Sequence, residues 1–155
     1  MVSDVMAIRR IISGGQTGVD RAALDVALER GIECGGWCPQ GRRAEDGTID
    51  GRYPLDETDS RRYALRTELN VRDADGTLVV TVGEPTGGTA FTLKAAEKHG
   101  RPSLLLDPTE KGAVEAFHEW VKREKIETLN VAGPRESNMP GIYVVTAFFL
   151  HKVLQ

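Results

Sequence analysis

The sequence predicts an α/β fold: a three-layer domain with a mostly parallel sheet of about five strands and helices on both faces. Three observations carry this expectation. Short apolar runs alternate with longer, helix-patterned segments about five times along the chain. Polar turns containing glycine follow several of the apolar runs. The length, 155 residues, is that of one ordinary domain, so residues 1–155 are read as one.

The first unit sets the pattern. Ala7–Ile12 reads as a short strand that stops in Ser13-Gly14-Gly15-Gln16-Thr17-Gly18. Val19–Arg30 places Val19, Ala23, Val26 and Ala27 on one helical face, with Gly31 as its stop. Thr17 and Asp20 have capping-box spacing, with Thr17 as the expected cap. A second strand is expected within Ile32–Trp37. Pro39–Asp59 is polar and rich in Gly and Pro, so it reads as a long ordered loop. Loops of ~15 residues or more inside a domain are usually functional or disordered. Ser60–Arg72 reads as a helix, Asp73–Gly76 as a turn and Thr77–Val82 as a buried strand. Gly83–Gly88 is a second turn, and Thr89–His99 a helix stopped by Gly100. Ser103–Asp107 follows as a strand and Glu110–Lys125 as an amphipathic helix. Thr128–Ala132 is the last strand, Gly133–Met139 a third turn, and Pro140–Leu154 a helix with Pro in its first turn. The first strand is expected at the centre of the sheet. In the last helix Ile142, Val144, Val145, Ala147, Phe148, Phe149 and Leu150 leave almost no polar face. A helix apolar all round is buried, here either in a homo-oligomer contact or in the core.

Composition excludes several function classes. Lys+Arg 20 against Asp+Glu 23 gives a net charge of −3, which argues against a nucleic-acid partner. No apolar run approaches ~18 residues, so no membrane span is expected. The N-terminus carries Asp4 and no apolar stretch of signal-peptide length, so a cytoplasmic protein is expected. Cys34 and Cys38 are too few for a disulfide scaffold, and C-x3-C without a nearby His is a poor zinc site. His99, His118 and His151 are scattered. No metal site and no catalytic constellation emerges, so a binding protein is expected ahead of an enzyme. Neither a Walker-type G-x-x-x-x-G-K-[ST] nor a G-x-G-x-x-G fingerprint is present. Glycine is the outlier: 17 of 155 residues, about 11% against an average near 7%. It clusters in doublets at Gly14–Gly15, Gly35–Gly36 and Gly87–Gly88.

Ligands in open α/β sheets sit at the carboxyl ends of the strands. Three turns leave predicted strand ends, at Ser13–Gly18, Glu84–Gly88 and Gly133–Ser137, and they should meet there. Their glycines let backbone approach a ligand closely. The following helices aim free N–H groups and a positive dipole end at the same space, which suits an oxyanion. Gly15→Val is then expected to block the site by filling it. In the helix after Ser60, Tyr63, Arg66, Thr67 and Asn70 fall on one side, while Leu65 and Leu69 form a separate stripe for the core. Arg66 could grip an oxyanion bidentately, and Asn70 could orient it. Arg66→Ala is expected to weaken binding with modest loss of stability. Arg42, Arg43 and Arg52 stand among acidic residues in the long loop. Either that loop pairs its own charges, or it is a lid in which Arg42 or Arg43 closes over an anion.

The stretch Ser13-Gly14-Gly15-Gln16-Thr17-Gly18-Val19-Asp20-Arg21-Ala22-Ala23-Leu24 resembles the opening motif of the family named putative molybdenum carrier proteins. So do Gly35-Gly36-Trp37-Cys38-Pro39, Arg66-Thr67-Glu68-x-Asn70-Val71, Asp75-Gly76-Thr77, Gly87-Gly88-Thr89 and Asn130-Val131-Ala132-Gly133-Pro134-Arg135-Glu136-Ser137. Their order and spacing agree over roughly residues 8–150. The family is similar to a circularly permuted branch of the SLOG superfamily. That resemblance implies a Rossmann-like fold and a ligand site built by the glycine-rich turns. It also implies molybdate or another molybdenum oxyanion as the ligand, with a nucleotide or phosphate as the alternative. Taken with the turns, the polar helix stripe and the loop arginines, the expected site residues are Gly14, Gly15, Gln16, Thr17, Gly18, Asp20, Arg42, Tyr63, Arg66, Asn70, Gly87, Gly88, Thr89, Gly133, Arg135, Glu136 and Ser137. The phosphoribohydrolase relatives carry a catalytic Glu three residues after the Thr of their glycine motif. Thr92 stands there in Gly87-Gly88-Thr89-Ala90-Phe91-Thr92, which weakens a glycosidase reading and leaves Glu68, Glu84 and Glu136 as substitutes.

Overall fold

The structure is a computed structural model that describes residues 8–154. Its main sheet contains β1 (Arg10–Ile12), β2 (Glu33–Gly35), β7 (Gly76–Val80), β8 (Ser103–Leu106) and β9 (Thr128–Ala132), in the order β2-β1-β9-β7-β8 and all parallel. Four short strands lie outside it: β3 (Trp37–Cys38), β4 (Arg43–Ala44), β5 (Gly47–Thr48) and β6 (Asp56–Glu57). The helices are α1 (Val19–Arg30), α2 (Tyr63–Asp73), α3 (Gly87–Lys98), α4 (Ala113–Glu124) and α5 (Ile142–Val153). This is the expected Rossmann-like α/β architecture. Ala7 of the first expected strand lies outside the described residues.

Crossover handedness decides which face each helix covers. Right-handed connections that run in opposite directions along a sheet lie on opposite faces. The steps β1→β2 and β8→β9 run one way, and they carry α1 and α4. The steps β2→β7 and β7→β8 run the other way, with α2 and α3. Strand alternation agrees. Ile11, Leu78, Val80, Leu129 and Val131 point to one side and join Val19, Val26, Phe117, Trp120, Phe149 and Leu150 in the large core. The opposite side presents Ile12, Thr77, Val79 and Asn130, all buried. There Val71 of α2 packs on Ala95 and Ala96 of α3 in a small separate cluster.

Several expectations change. The last strand, β9, holds the middle of the sheet, with β1 beside it. Strand order rests on pairings far apart in sequence, and no local signal carries them. The long loop has a core of its own: Cys38, Ala44, Ile49, Tyr53 and Leu55 pack on Leu24. Within it β3 pairs with β6 in parallel, and β4 with β5 antiparallel. Thr17 does not cap α1; Gly18 does, with no side-chain bond. The Thr17 hydroxyl is engaged instead by Glu45 and by the Glu136 N–H. α2 begins at Tyr63, later than expected, while α3 begins earlier, at Gly87. Leu65 and Leu69 are only half-buried; α2 buries Asn70 and Val71 instead. α5 is not buried all round, because Val144 and Phe148 are each 68% exposed while Ile142, Thr146, Phe149, Leu150 and Val153 are buried. Among the described residues no helix is long and apolar enough to cross a membrane.

Candidate functional site

The three turns converge. Residues following β1, β7 and β9 enclose a cavity of about 230 Å³ on the α2 and α3 face, at the carboxyl ends of the central strands. Gly14, Gln16 and Asp20 come from the first turn and α1, and Tyr63, Arg66 and Asn70 from α2. Gly87, Gly88 and Thr89 come from α3, and Gly133 and Arg135 from the turn after β9. All of these were expected. Phe91, Thr92, Asn130 and Asn138 also line it. Asn130 was missed as a site residue; its signal is an amide in the otherwise apolar run Leu129-Asn130-Val131.

The wall opposite α3 is built around a buried ion pair. Arg66 Nη1 donates to Asp20 Oδ2 at 2.9 Å, and the two side chains are 12% and 6% exposed. Arg66 Nε donates to the Tyr63 carbonyl at 3.2 Å, and among the described residues nothing accepts from Nη2. Asp20 Oδ2 also accepts the Gln16 N–H at 3.3 Å. Burial pushes the Asp20 carboxyl above its ordinary range, against the pull of Arg66. Gly14 makes this packing possible: a Cβ there would strike the Arg66 guanidinium. Gln16 uses its Oε1 for the N–H groups of Thr17 and Glu45, at 3.0 and 2.9 Å, so its amide Nε2 is the donor left for the cavity.

Tyr63 gathers cations at the mouth. The guanidinium carbons of Arg43, Arg66 and Arg135 lie 4.5, 5.2 and 5.8 Å from its ring centre. Asn70 is committed elsewhere, since its amide accepts from Trp37 N at 2.8 Å and donates to Trp37 O at 3.0 Å. It clamps β3 to α2, and that use replaces the ligand-orienting role expected of it.

Across the cavity, α3 starts at Gly87, so its first-turn N–H groups lie in the wall. A Cβ at Gly88 would meet nothing within 4 Å. Thr89 is buried, and its hydroxyl has no hydrogen-bond partner among the described residues. Thr92 Oγ1 donates to the Gly88 carbonyl at 2.9 Å, and Asn130 Nδ2 to Thr77 Oγ1 at 3.2 Å. Glycine at 133 allows close packing, because a Cβ would run into the Val80 carbonyl and Val19.

The structure does not bring Gly15, Thr17, Gly18, Arg42, Glu136 or Ser137 into the wall. Gly15 has φ +79° and faces Leu55 and Ile49, so its substitution would disturb the loop core and leave the cavity space untouched. Gly18 is packed on Pro134 and Glu136 backbone. Val19 N donates to Pro134 O at 3.3 Å. With the Asp20 carboxylate on the Gln16 N–H, this occupies two of the N–H groups around the first turn internally. Arg42 is no lid; its guanidinium binds the carbonyls of Ile49, Asp50, Tyr53 and Leu55 and holds the loop shut on itself. Glu136 caps α5 by accepting from Gly141 N and Tyr143 N at 2.6 and 3.0 Å. Ser137 and Thr17 both donate to Glu45, which also lies 3.9 Å from Arg135. Glu45 thus latches the loop across the first and third turns. Burial alone would raise the proton affinity of its carboxyl, but the bonds from Ser137 and Thr17 bring it below the ordinary range.

Among the described residues the lining sets Arg66 and Arg135 against a single carboxyl, Asp20. Of the substitute carboxyls, Glu68 pairs with Lys98 and His99, and Glu84 and Glu136 lie off the wall. Among the described residues no group of three or more His, Cys, Asp or Glu is placed to hold a metal ion.

The model described as the circularly permutated YpsA SLOG family matches residues 11–154. A solved structure named as a putative molybdenum carrier protein, from Syntrophus aciditrophicus SB, is 43% identical, with 97% of each chain covered and a TM-score of 0.94. No curated protein sequence matches the chain. A match of that extent, on a sheet whose last strand sits in its middle, shows that the chain belongs to the circularly permutated YpsA SLOG family.

Proposed function

We propose that the chain binds an oxyanion, or a small molecule presenting one, and acts as a binding or carrier protein. One observation carries this reading: Arg66 and Arg135 share a single cavity with the first turn of α3. A helix terminus contributes ~0.3–1 kcal/mol and a charge-assisted hydrogen bond roughly 1.5–3. Two such bonds and one terminus sum to roughly 3–7 kcal/mol, which is millimolar to about 10 μM affinity. The similar protein from Syntrophus aciditrophicus is named for molybdenum, so molybdate is the first anion to test. Calorimetry with molybdate, tungstate, sulfate and inorganic phosphate should give saturable heat with at least one of them. No heat and no thermal shift with any of the four would sink the proposal.

A second reading has its own support. The cavity, at about 230 Å³, approaches the ~300 Å³ at which small-molecule clefts begin, and Tyr63 and Phe91 give it aromatic walls. The oxyanion would then be the phosphate of a nucleotide-derived ligand. Titration with nucleoside monophosphates, scored for both affinity and base release, separates a nucleotide binder from a phosphoribohydrolase-like enzyme and from a simple anion binder.

The proposal extends to setting and assembly. The free thiols Cys34 and Cys38 fit a reducing, cytoplasmic location. The exposed Val144 and Phe148 on α5 support self-association.

A further inference from the structure

We infer that one proton enters the cavity with each oxyanion bound, carried by the ligand or taken up by Asp20, so that at neutral pH Asp20 selects hydrogen phosphate over fully deprotonated sulfate, molybdate and tungstate. This rests on the oxyanion reading and names the class of anion that the site prefers.

Among the described residues Asp20 is the single carboxyl in the lining, and it is 4% exposed. Its Oδ2 is filled by Arg66 Nη1 at 2.9 Å and by Gln16 N at 3.3 Å. Among the described residues nothing donates to Oδ1, although the remaining polar side chains of the wall include donors. A carboxylate oxygen without a donor that shares a cavity with an anion must gain a donor or lose its charge. Hydrogen phosphate brings an O–H that donates to Oδ1. Sulfate, molybdate and tungstate bring none, so a proton from solvent must settle on Asp20 before they fit.

The charged and titratable surroundings favour that proton. Arg66 and Tyr63 face Asp20 from α2. Arg21 lies on its own helix, with its guanidinium held by the Gly15 carbonyl and Asp46. Arg135 enters from the turn after β9, and Glu45 of the long loop donates its backbone N–H to the Gln16 side chain and sets its carboxylate 3.9 Å from Arg135. Burial outweighs the pull of Arg66 and Arg21 and already leaves Asp20 readier to protonate than an exposed Asp. An anion that competes for the Arg66 guanidinium weakens that pull further.

The experiment is calorimetry with inorganic phosphate and with sulfate at pH 7, in two buffers of different ionisation enthalpy, on the native chain and on Asp20→Asn. The native chain should bind phosphate roughly 10- to 100-fold tighter than sulfate, and sulfate binding should draw one proton from the buffer. Asp20→Asn should lose the preference and the proton uptake together. A profile on the native chain needs no variant: sulfate affinity should rise as the pH falls from 8 toward 6. Sulfate bound as tightly as phosphate with no proton uptake, or an unchanged preference in folded Asp20→Asn, overturns the inference and leaves the oxyanion reading standing. Absence of binding by both anions overturns the oxyanion reading itself and the inference with it.

Discussion

Removing the Arg66 guanidinium removes two things at once: a donor to the cavity and, among the described residues, the only cation bonded to buried Asp20. Arg66→Ala should weaken anion binding roughly 10- to 100-fold, the worth of one charge-assisted bond. The modest stability loss expected from the sequence is an underestimate, because breaking one side of a buried pair costs about 3–5 kcal/mol. That cost should grow with pH. Without Arg66 the folded-state affinity of Asp20 for its proton rises further, and a raised carboxyl contributes stability below its unfolded pKa that is lost as pH climbs through the folded one. Urea denaturation of Arg66→Ala and the native chain at pH 5 and pH 8 checks the sign. The glycines divide at this scale too. Gly15→Val should leave anion affinity intact in whatever folds, and should cost about 1–3 kcal/mol by overpacking Leu55 and Ile49. Gly88→Val should fold normally, having nothing within 4 Å to strike, yet lose affinity. Equal affinity in Gly88→Val would place the anion away from α3. In the sequence all these glycines look alike, because their difference lies in which long-range neighbour each one meets.

At the scale of elements, α1 and β9 were readable to their ends. Each has strong local patterning: an Ala- and Leu-rich face stopped by Gly31, and an apolar run broken by Gly133. The polar stripe of α2 was readable as well, since Tyr63, Arg66, Thr67 and Asn70 do share one side and reach the cavity. The use made of Asn70 was not, because its partner is the backbone of Trp37, distant in sequence and met only through folding. Asn70→Ala leaves both Trp37 backbone groups unpaired and should cost about 1–3 kcal/mol, with faster hydrogen exchange at the Trp37 amide. The two-residue strands of the long loop escaped notice because no periodicity can show over so short a span. Their latch, Glu45, titrates in the opposite sense to Asp20. Its folded pKa is lowered, so it contributes stability above the ordinary Glu range that is lost as pH falls through the folded value. The melting-temperature gap between the native chain and Glu45→Gln should therefore be open at pH 7 and close in acid.

For the whole molecule, an overall net charge of −3 coexists with a cavity whose mouth gathers Arg43, Arg66 and Arg135 around Tyr63. Anion attraction is therefore local, and salt should weaken it less than it weakens long-range steering. Placing β9 in the middle of the sheet brings the turn at Gly133–Arg135 between the other two turns, and no local pattern in the chain announces that. The exposed side of α5 bears on assembly: Phe148→Glu should shift sedimentation toward monomer if Val144 and Phe148 are covered in solution. On the proposed reading an anion sits where these three turns meet. An anomalous difference map from crystals soaked in tungstate at pH 6 tests it most directly. One strong tungsten peak should lie bounded by Arg66, Gly88 and Gly133; an empty cavity, with peaks only elsewhere on the molecule, would contradict the anion site.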